Sequence, residues 1–558
     1  MKNGKNHINN KTAIKNLEML FMKEVMQNQL AEFTFNSDVS HSDPFNTVKI
    51  SAVFTRPDKS TVTVPAFWAG GNCWRIRYSS NQIGIHSFIT SCSDSTDKNL
   101  HGQTGSVAIT EYAGDNALYR HGAICRQDDN LYLTYRDDST PFYWLGDTWW
   151  MGLTNRLKFP DDFAVLTADR VEKGFNVVQI VAGLYPDMLP FDERGANEAG
   201  FPWDKDFIAI NPEYFDMADR RIAYLCENGI TPCIVGCWGF FMRFAGKENV
   251  IRHWDNLIAR WAAYPVCWCI AGEANMAFYD DPEGSAEAAV IQSRKDWNDV
   301  TKHVKETDPF KRLITIHPTQ YGHRQIEDET LLDLDMLQTG HSGPMSLGSS
   351  MQMEKTALDR KKLPVINSEV CYEGIMNSSY ADVQRYLYIS SFMIGTCGHT
   401  YGANGIWQLN SREKSYGVSP HGAQWGDTPW EEAYQLPGSR HIGNCKKFLT
   451  QFEWWKFAYR PDWIERPCSL SAADGLFAAG IPEKIRVIFC PNFGGHFWGT
   501  VNILNLEKNI AYRAMRFNPV TNVTTELGAV TPDAEGNWRT PRVDMFGDWI
   551  FVLIADGN

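Results

Sequence analysis

The sequence predicts an α/β fold, a (β/α)8 TIM barrel flanked by an N-terminal β-sandwich and a C-terminal β domain. Short alternating runs dominate up to about residue 135, apolar runs alternate with helical patterns in the middle, and strand-like runs return near the C-terminus. The predicted boundaries are 1–30 for a charged leader, 31–135 for the sandwich, 136–455 for the barrel and 456–558 for the last domain. The pattern leaves open whether the leader is disordered or helical.

Alternating apolar and polar residues predict the strands of the two β domains. Residues 48–53 and 74–78 alternate in this way, and Gly70, Gly71 and Asn72 form a turn signal before the second run. Strand-like runs at residues 485–489, 511–515 and 549–554 return near the other end of the chain. We therefore expect a β domain on each side of the central part.

The central part has the rhythm of a parallel sheet, in which buried strands alternate with helices. Pro160 predicts the first turn of one helix, which Gly174 ends, and Asn211-Pro212 opens another that ends at Gly229. The eight predicted strands are residues 142–146, 175–181, 231–237, 266–272, 313–316, 334–337, 363–366 and 398–401. The fifth and sixth units have the weakest pattern, because the segment between them is short and thinly helical. Eight units indicate a TIM barrel.

Composition and charge exclude several classes of protein. The net charge of −13 would repel a nucleic-acid backbone, and no Lys/Arg stripe offsets it. No apolar run approaches the roughly 20 residues that span a bilayer, and no secretion signal pattern is visible at the start. The 13 cysteines are an odd number without zinc-type spacing, which favours reduced thiols in a cytoplasmic protein. We therefore expect neither a nucleic-acid nor a membrane partner.

The chain contains 20 tryptophans, and several aromatic residues stand beside polar residues at the ends of apolar runs. Many aromatic side chains simply pack in cores. A flat apolar face next to hydrogen-bonding groups, however, suits a ligand that has both kinds of surface, such as a sugar. The aromatic residues in this setting are Trp149, Trp150, Trp238, Tyr372, Tyr401 and Trp407.

Two carboxylates stand directly after buried strands on opposite sides of the predicted barrel. Glu273 comes after the fourth apolar run and Glu369 after the seventh. In a TIM barrel the reactive groups lie at the C-terminal ends of the strands. Glycoside hydrolysis needs two carboxyl groups at one anomeric carbon, one to protonate the leaving oxygen and one to attack or to activate water. The pair therefore predicts a glycosidase site.

Polar residues near the same strand ends complete the predicted substrate-binding set. They are Asp147, Gln179, Asn275, His317, Gln338, His341, Glu373 and His399. Asp147 has the alternative of bracing the first loop, and His317 that of a satisfied core histidine. Glu373 is the alternative second carboxylate, four residues beyond Glu369.

Other catalytic motifs are absent from the sequence. It contains no phosphate loop, no dinucleotide-binding glycine motif after a strand, no nucleophile elbow and no H-E-x-x-H. The histidines fit sugar-binding donors better than metal ligands, because no pair has H-x-x-x-H spacing. We therefore expect no metal and no organic cofactor.

Several motifs of the chain resemble the apiosidase-like glycoside hydrolases, which have a clan-A type barrel. They are WLGDTWW (144–150), NPEYF (211–215), GEAN (272–275), QTGH (338–341), NSEVCYEG (367–374) and HTYGANGIW (399–407). Residues 71–78 and 84–86 resemble the β-sandwich that often precedes this barrel. Residues 517–519 and 547–549 are similar to a small β domain that carries a collagen-binding label in such proteins. The resemblance covers nearly the whole chain beyond residue 30.

The resemblance implies a retaining mechanism with Glu273 as acid/base and Glu369 as nucleophile. We therefore expect a retaining β-glycosidase that acts by double displacement. Apiosidases of this family have Asp at the fourth-strand position, so Glu273 is one methylene longer, and apiose itself is not favoured as the sugar. The expected cytoplasmic location favours exo-action on imported oligosaccharides or glycosides. The long loop at 183–210, which we expect to close one end of the cleft, favours it as well. Trp-rich β domains are compatible with a homo-oligomer.

Two alternative functions remain open at the level of sequence. One is a non-catalytic carbohydrate-binding protein that has kept the barrel shape. The other is a metal-dependent hydrolase built on His317, His341 and an acidic residue.

Overall fold

The computed structural model describes residues 23–279, 281, 283–492 and 499–556. An N-terminal β domain is followed by eight parallel strands in a nearly closed barrel and by a C-terminal antiparallel domain. This arrangement confirms the predicted fold class.

The N-terminal domain is a seven-stranded sheet folded over one apolar core. Its strands are β1 (Lys23–Met26), β2 (Ala31–Asn36), β3 (Ile50–Thr55), β4 (Thr61–Trp68), β5 (Cys73–Tyr78), β6 (Gly84–Cys92) and β7 (Thr104–Thr110), with short helices α1 (Pro44–Thr47) and α2 (Ala117–Arg120). Strand β4 pairs with β3 as far as Pro65 and with β5 from Ala66 onwards. The sheet therefore changes partner along one strand and encloses Phe54, Trp74 and Tyr78.

The predicted leader is partly ordered as a strand. β1 pairs in parallel with β7, which places Lys23 beside Val107. Residues 23–26 are therefore neither disordered nor helical, because their backbone groups are used at the edge of the sheet. Residues 1–22 lie outside the described part of the chain.

A small sheet of β8 (Ile124–Cys125), β9 (Leu133–Tyr135) and β10 (Pro141–Phe142) precedes the barrel. The barrel strands are β11 (Trp144–Thr148), β12 (Val177–Val181), β13 (Thr231–Val235), β14 (Cys267–Cys269), β15 (Ile314–Thr315), β16 (Asp335–Gln338), β17 (Val365–Glu369) and β18 (Gly398–Tyr401). They pair in the order β15-β14-β13-β12-β11-β18-β17-β16. β15 has only two residues, and no pairing between β15 and β16 is found in the described part. The weak pattern of the fifth and sixth units therefore corresponds to the gap in the barrel.

Helices cover the outside of the barrel strands. They are α3 (Asp161–Lys173), α4 (Pro212–Glu227), α5 (Phe241–Ala245), α6 (Lys247–Trp261), α7 (Glu287–Thr307), α8 (Ser346–Asp359), α9 (Ala381–Ile394), α10 (Trp430–Ala433) and α11 (Pro437–Leu449). Gly174 ends α3 with φ +89°, and the Asn211 side chain accepts from the first backbone N–H groups of α4. Single 3-10 turns lie at Glu193–Gly195, Glu283–Ser285, Gly322–Arg324, Glu329–Leu331, Gly343–Met345, Ile375–Asn377, Trp454–Lys456 and Pro461–Trp463.

The C-terminal domain is a six-stranded sheet with a two-stranded addition. Its strands are β19 (Ala458–Tyr459), β20 (Phe477–Ile481), β21 (Ile485–Cys490), β22 (Asn502–Ile503), β23 (Tyr512–Asn518), β24 (Val523–Ala529), β25 (Trp538–Arg539) and β26 (Trp549–Ala555). Phe517 of this sheet stacks on Phe448 of α11 with ring centroids 4.1 Å apart. The domain therefore packs directly on the helix layer of the barrel.

All 13 cysteines are free thiols, and twelve of them are buried. This agrees with their interpretation as small apolar residues of the core. Among the described residues, no helix is both long and apolar enough to span a lipid bilayer.

Candidate active site

A cavity of about 370 Å³ opens at the C-terminal ends of the barrel strands. This is the face at which TIM barrels carry their reactive groups. Eight of the predicted site residues line it: Trp150, Trp238, Glu273, Gln338, His341, Glu369, Tyr372 and Trp407. The structure therefore brings both predicted carboxylates into one pocket.

The two carboxylates reach the pocket from different backbone positions. Glu369 is the last residue of β17, whereas Glu273 lies beyond the end of β14 in a left-handed conformation with φ +44°. Its neighbour Gly272 forms a bridge with Trp238, and a Cβ atom at Gly272 would lie 2.2 Å from the Trp238 ring. Only glycine therefore allows Trp238 to pack against the backbone that presents Glu273.

One side-chain amide connects the two carboxylates. Gln338 Nε2 lies 3.0 Å from Glu273 Oε1 and 3.2 Å from Glu369 Oε1, donating to both. The two oxygens cannot be further apart than the sum of these distances. The two carboxyl groups therefore border the same part of the pocket.

Two imidazoles surround the carboxylate of Glu369. His341 Nε2 lies 2.7 Å from Oε1, and His317 Nε2 lies 3.1 Å from Oε2. Burial by itself would raise the pKa of Glu369, but the two imidazoles outweigh it and lower the pKa to about 2. Glu369 is therefore ionised throughout the physiological pH range.

The environment of Glu273 acts in the opposite direction. Burial and the nearby charge of Glu369 raise the pKa of Glu273 above its ordinary value. Hydrogen bonds from Gln338 and from Trp238 Nε1, which lies 3.2 Å from Oε2, limit this rise. Two carboxyl groups with pKa values pushed apart are the arrangement that acid and nucleophile roles require.

Aromatic rings form the wall beside the carboxylates. Trp150 Nε1 donates to the Tyr372 hydroxyl at 3.2 Å, and the Trp150 and Trp238 rings meet edge to face at 5.4 Å. His317 is fully buried behind these two tryptophans. His317 therefore contacts Glu369 without lining the pocket itself.

Five of the predicted residues lie outside the pocket and face the surrounding elements. Asp147 pairs with Arg170 of α3 at 2.6 Å and accepts from Trp149 Nε1 at 2.7 Å. Tyr401 donates to Glu373 at 2.5 Å. His399 packs edge-on against Tyr388 of α9. Neighbouring residues on a strand point to opposite faces of the sheet. The positions on the face that points away from the barrel axis are Asp147, Trp149, His399 and Tyr401.

Glu373 caps a helix and lies outside the pocket. It accepts from the backbone N–H of Gly438 at 3.0 Å, in the first turn of α11. Burial raises its pKa. This position supports Glu369 over Glu373 as the partner of Glu273.

Gln179 and Asn275 also lie outside the pocket. Gln179 Nε2 donates to the backbone carbonyl of Ser368 at 3.0 Å, inside the barrel and next to Glu369. Asn275 contacts Gln325 through its backbone and side-chain nitrogens. Gln179 therefore supports the end of the strand that carries Glu369, and Asn275 supports the loop that carries Glu273.

The sequence interpretation missed half of the pocket wall. The additional lining residues are Pro186, Asp187, Met276, Ala277, Tyr279, Ile375, His421 and Trp425. Pro186 and Asp187 belong to the long loop that was expected to close one end of the cleft. For Trp425 and His421, the available sequence signal was their position in the long segment that follows β18.

Across the described ranges, no group of three or more His, Cys, Asp or Glu side chains is arranged to hold a metal ion. His317 and His341 instead contact the two oxygens of Glu369. The two histidines are thus placed to lower the pKa of the Glu369 carboxyl group.

Two family models match parts of the chain. Residues 127–456 match the apiosidase-like catalytic domain, and residues 24–93 match a domain of unknown function (DUF5060). No curated protein matches the chain significantly.

Solved structures share the fold at low sequence identity. A candidate glycoside hydrolase from Bacteroides vulgatus ATCC 8482 is 18% identical with a TM-score of 0.70, over 96% of this chain and 100% of that one. A family 5 glycoside hydrolase from the same organism is also 18% identical, with a TM-score of 0.64 over 79% and 94% of the two chains. Since the catalytic-domain match spans more than half of the sequence, the chain belongs to the apiosidase-like family and is a glycoside hydrolase.

Proposed function

We propose that this protein is a retaining exo-glycosidase in which Glu273 is the acid/base and Glu369 the nucleophile. The observation that carries the proposal is the amide of Gln338, which donates to both carboxylates at 3.0 and 3.2 Å. The sum of these distances is shorter than the roughly 6.5 Å at which inverting pairs begin, and retaining pairs have about 5–5.5 Å. The separation therefore supports direct attack by a carboxylate rather than by an interposed water.

In the first step, a Glu369 oxygen attacks the anomeric carbon. The bond from that carbon to the leaving oxygen breaks, and Glu273 gives its proton to this oxygen. The depressed pKa of Glu369 supplies the ionised nucleophile, and the raised pKa of Glu273 retains the proton. The products are the free aglycone and a glycosyl ester on Glu369.

In the second step, the Glu273 carboxylate takes a proton from water. The water oxygen bonds to the anomeric carbon, and the ester bond to Glu369 breaks. Two displacements at one carbon restore its original configuration. Glu273 ends protonated and Glu369 ionised, as they began.

The size of the pocket supports exo-action. A cavity of about 370 Å³ is near the lower end of the usual ligand-pocket range of about 300–1,000 Å³. Pro186 and Asp187 wall it from the loop after β12, and His421 and Trp425 wall it from the segment after β18. Walls on these two sides favour a sugar at a chain end over one inside a polymer.

Single substitutions with azide rescue test the assignment of roles. Glu273→Ala and Glu369→Ala should each reduce turnover of an aryl glycoside by several orders of magnitude, while exposed Glu526→Ala should match the wild type. Azide should give a glycosyl azide of retained configuration with Glu273→Ala and of inverted configuration with Glu369→Ala. Full activity in either variant would reject the role of that residue.

A further inference from the structure

Asp187 is a third carboxylate in the pocket, and residues from two other loops hold it in place. Trp425 Nε1 lies 3.2 Å from Asp187 Oδ2, and the Asp187 backbone N–H donates to the Tyr279 hydroxyl at 3.0 Å. The Tyr416 hydroxyl donates to the Asp187 carbonyl oxygen at 3.3 Å. The residue has φ +61°, in the left-handed region, which aspartate adopts more readily than most residues other than glycine.

The side chains that hold Asp187 are themselves fixed by their neighbours. Trp425 Nε1 also lies 3.2 Å from Ser419 Oγ, and the Tyr279 ring stacks on His421 with centroids 4.9 Å apart. Asp187 is 6% exposed and still lines the cavity. The carboxylate is therefore buried and oriented at the position where a ligand would contact it.

The charge of the pocket restricts what this carboxylate can bind. Among the described residues, the lining contains three acids and neither lysine nor arginine. Arg194, which stacks on Tyr416, is paired with both carboxylate oxygens of Asp192. The wall thus offers an anionic ligand no lysine or arginine of its own, and like charges in a dehydrated site repel strongly.

A carboxylate offers acceptors only, so its ligand has to present donors. Two neighbouring hydroxyls match the two oxygens of one carboxylate and form charge-assisted hydrogen bonds. Burial also raises the pKa of Asp187, because the pocket removes water from the carboxylate, and hydroxyl donors would replace that water.

We infer that Asp187 is a specificity-determining residue that binds two adjacent hydroxyls of an uncharged sugar, so that uronic acids are excluded as substrates. This inference rests on the proposed glycosidase function and adds the substrate class. The neighbouring aromatic side chains of Trp425 and Tyr279 supply an apolar surface for the ring of the bound sugar.

The test compares Asp187→Asn with Glu193→Gln, which removes one negative charge from an exposed position of the same loop. Both are assayed on neutral aryl pentosides and hexosides, on their single-deoxy analogues and on aryl uronides. For the best neutral substrate, Asp187→Asn should lower kcat/KM by about 10- to 100-fold. The loss should shrink to a few-fold on the analogue that lacks a contacted hydroxyl, and Glu193→Gln should match the wild type. Trp425→Phe, which keeps a ring but removes the N–H, should change the same substrates in the same direction.

Binding measurements separate this inference from the proposed function. Quenching of tryptophan fluorescence by neutral sugars reports binding without hydrolysis, and thermal unfolding checks that each variant is folded. If the wild type binds neutral sugars and Asp187→Asn does not, the inference stands even if no glycoside is cleaved. It is overturned if folded Asp187→Asn behaves like Glu193→Gln, if uronides are cleaved as fast as neutral glycosides, or if no neutral sugar binds.

Discussion

His341 Nε2 lies 2.7 Å from Oε1 of Glu369, on the side of this carboxylate that faces the pocket. A hydrogen bond to the charged form of a carboxyl group lowers its pKa. Two imidazoles contact Glu369, and the burial that would otherwise raise its pKa is overcome. The carboxylate of Glu369 thus depends on the two imidazoles for its charge at mildly acidic pH.

Removal of His341 should shift the acidic limb of the activity profile. In His341→Ala the pKa of Glu369 rises from about 2, so Glu369 becomes protonated at a higher pH. We expect the acidic limb of kcat/KM to move upward by about one pH unit. His303→Ala, on the surface helix α7, should leave the limb in place. An unchanged acidic limb in His341→Ala would contradict this role.

Replacement of Trp238 by phenylalanine should shift the other limb. The Trp238 N–H stabilises ionised Glu273, so Trp238→Phe raises the pKa of Glu273 further. The acid then stays protonated to a higher pH, and the basic limb of kcat/KM moves upward. Trp149→Phe removes an N–H that donates to Asp147 outside the pocket and should not move this limb. A downward shift in Trp238→Phe would argue against Glu273 as the acid.

The buried ion pair between Asp147 and Arg170 should matter for stability. Both side chains are fully buried and lie 2.6 Å apart. Asp147→Ala leaves Asp169 as the remaining acidic partner of Arg170, so the cost in the free energy of unfolding should lie at the lower end of the about 3–5 kcal/mol that breaking a buried pair costs. The exposed pair between Glu172 of α3 and Arg440 of α11 should contribute less than about 1 kcal/mol, measured in Glu172→Gln. Urea unfolding measures both, and equal losses would contradict the burial argument.

His399 should make the fold sensitive to acid. Burial lowers the pKa of His399 to about 3 from an ordinary value of 6.5. Between these values the unfolded chain binds a proton that the folded chain does not, so stability falls as the pH decreases from about 6.5. His399→Leu should reduce the loss between pH 6 and 4.5 by about 1–2 kcal/mol.

His303 offers a control of opposite sign for this titration. Asp255 raises the pKa of His303 in the folded chain. Its contribution is therefore present at low pH and lost as the pH rises, so His303→Leu should enlarge the acid-induced loss. Urea titrations at each pH decide between the two directions, and a larger acid-induced loss in His399→Leu would contradict the assignment.

The sequence was sufficient to predict the barrel and the carboxylate pair, because both depend on buried strands and on the polar residues at their C-terminal ends. Glu273, Glu369, Gln338 and His341 all lie at the ends of apolar runs, and the pocket forms where these ends meet. The order of apolar runs and polar residues along the chain is therefore enough to place these side chains at the strand ends. The same argument explains why α3 and α4 begin and end close to their predicted residues.

For the other predicted residues, the sequence pattern could not decide which side chains line the pocket and which do not. Asp147 and Trp150 stand three positions apart near one strand, yet only Trp150 lines the pocket. A shift of one residue exchanges the two faces of a strand, and an apolar run buried on both faces does not reveal which is which. Asp187 lies in a loop whose path depends on tertiary contacts with Trp425 and Tyr279.

The left-handed backbone at Glu273 lowers the stability of the fold at a position whose side chain the proposed reaction needs. A side chain with φ +44° costs about 1–2 kcal/mol that glycine avoids. Glu273→Gly should therefore be inactive yet at least as resistant to heat as the wild type. In proteins that descend from this one and no longer need to hydrolyse glycosides, we expect glycine or asparagine to replace this glutamate early.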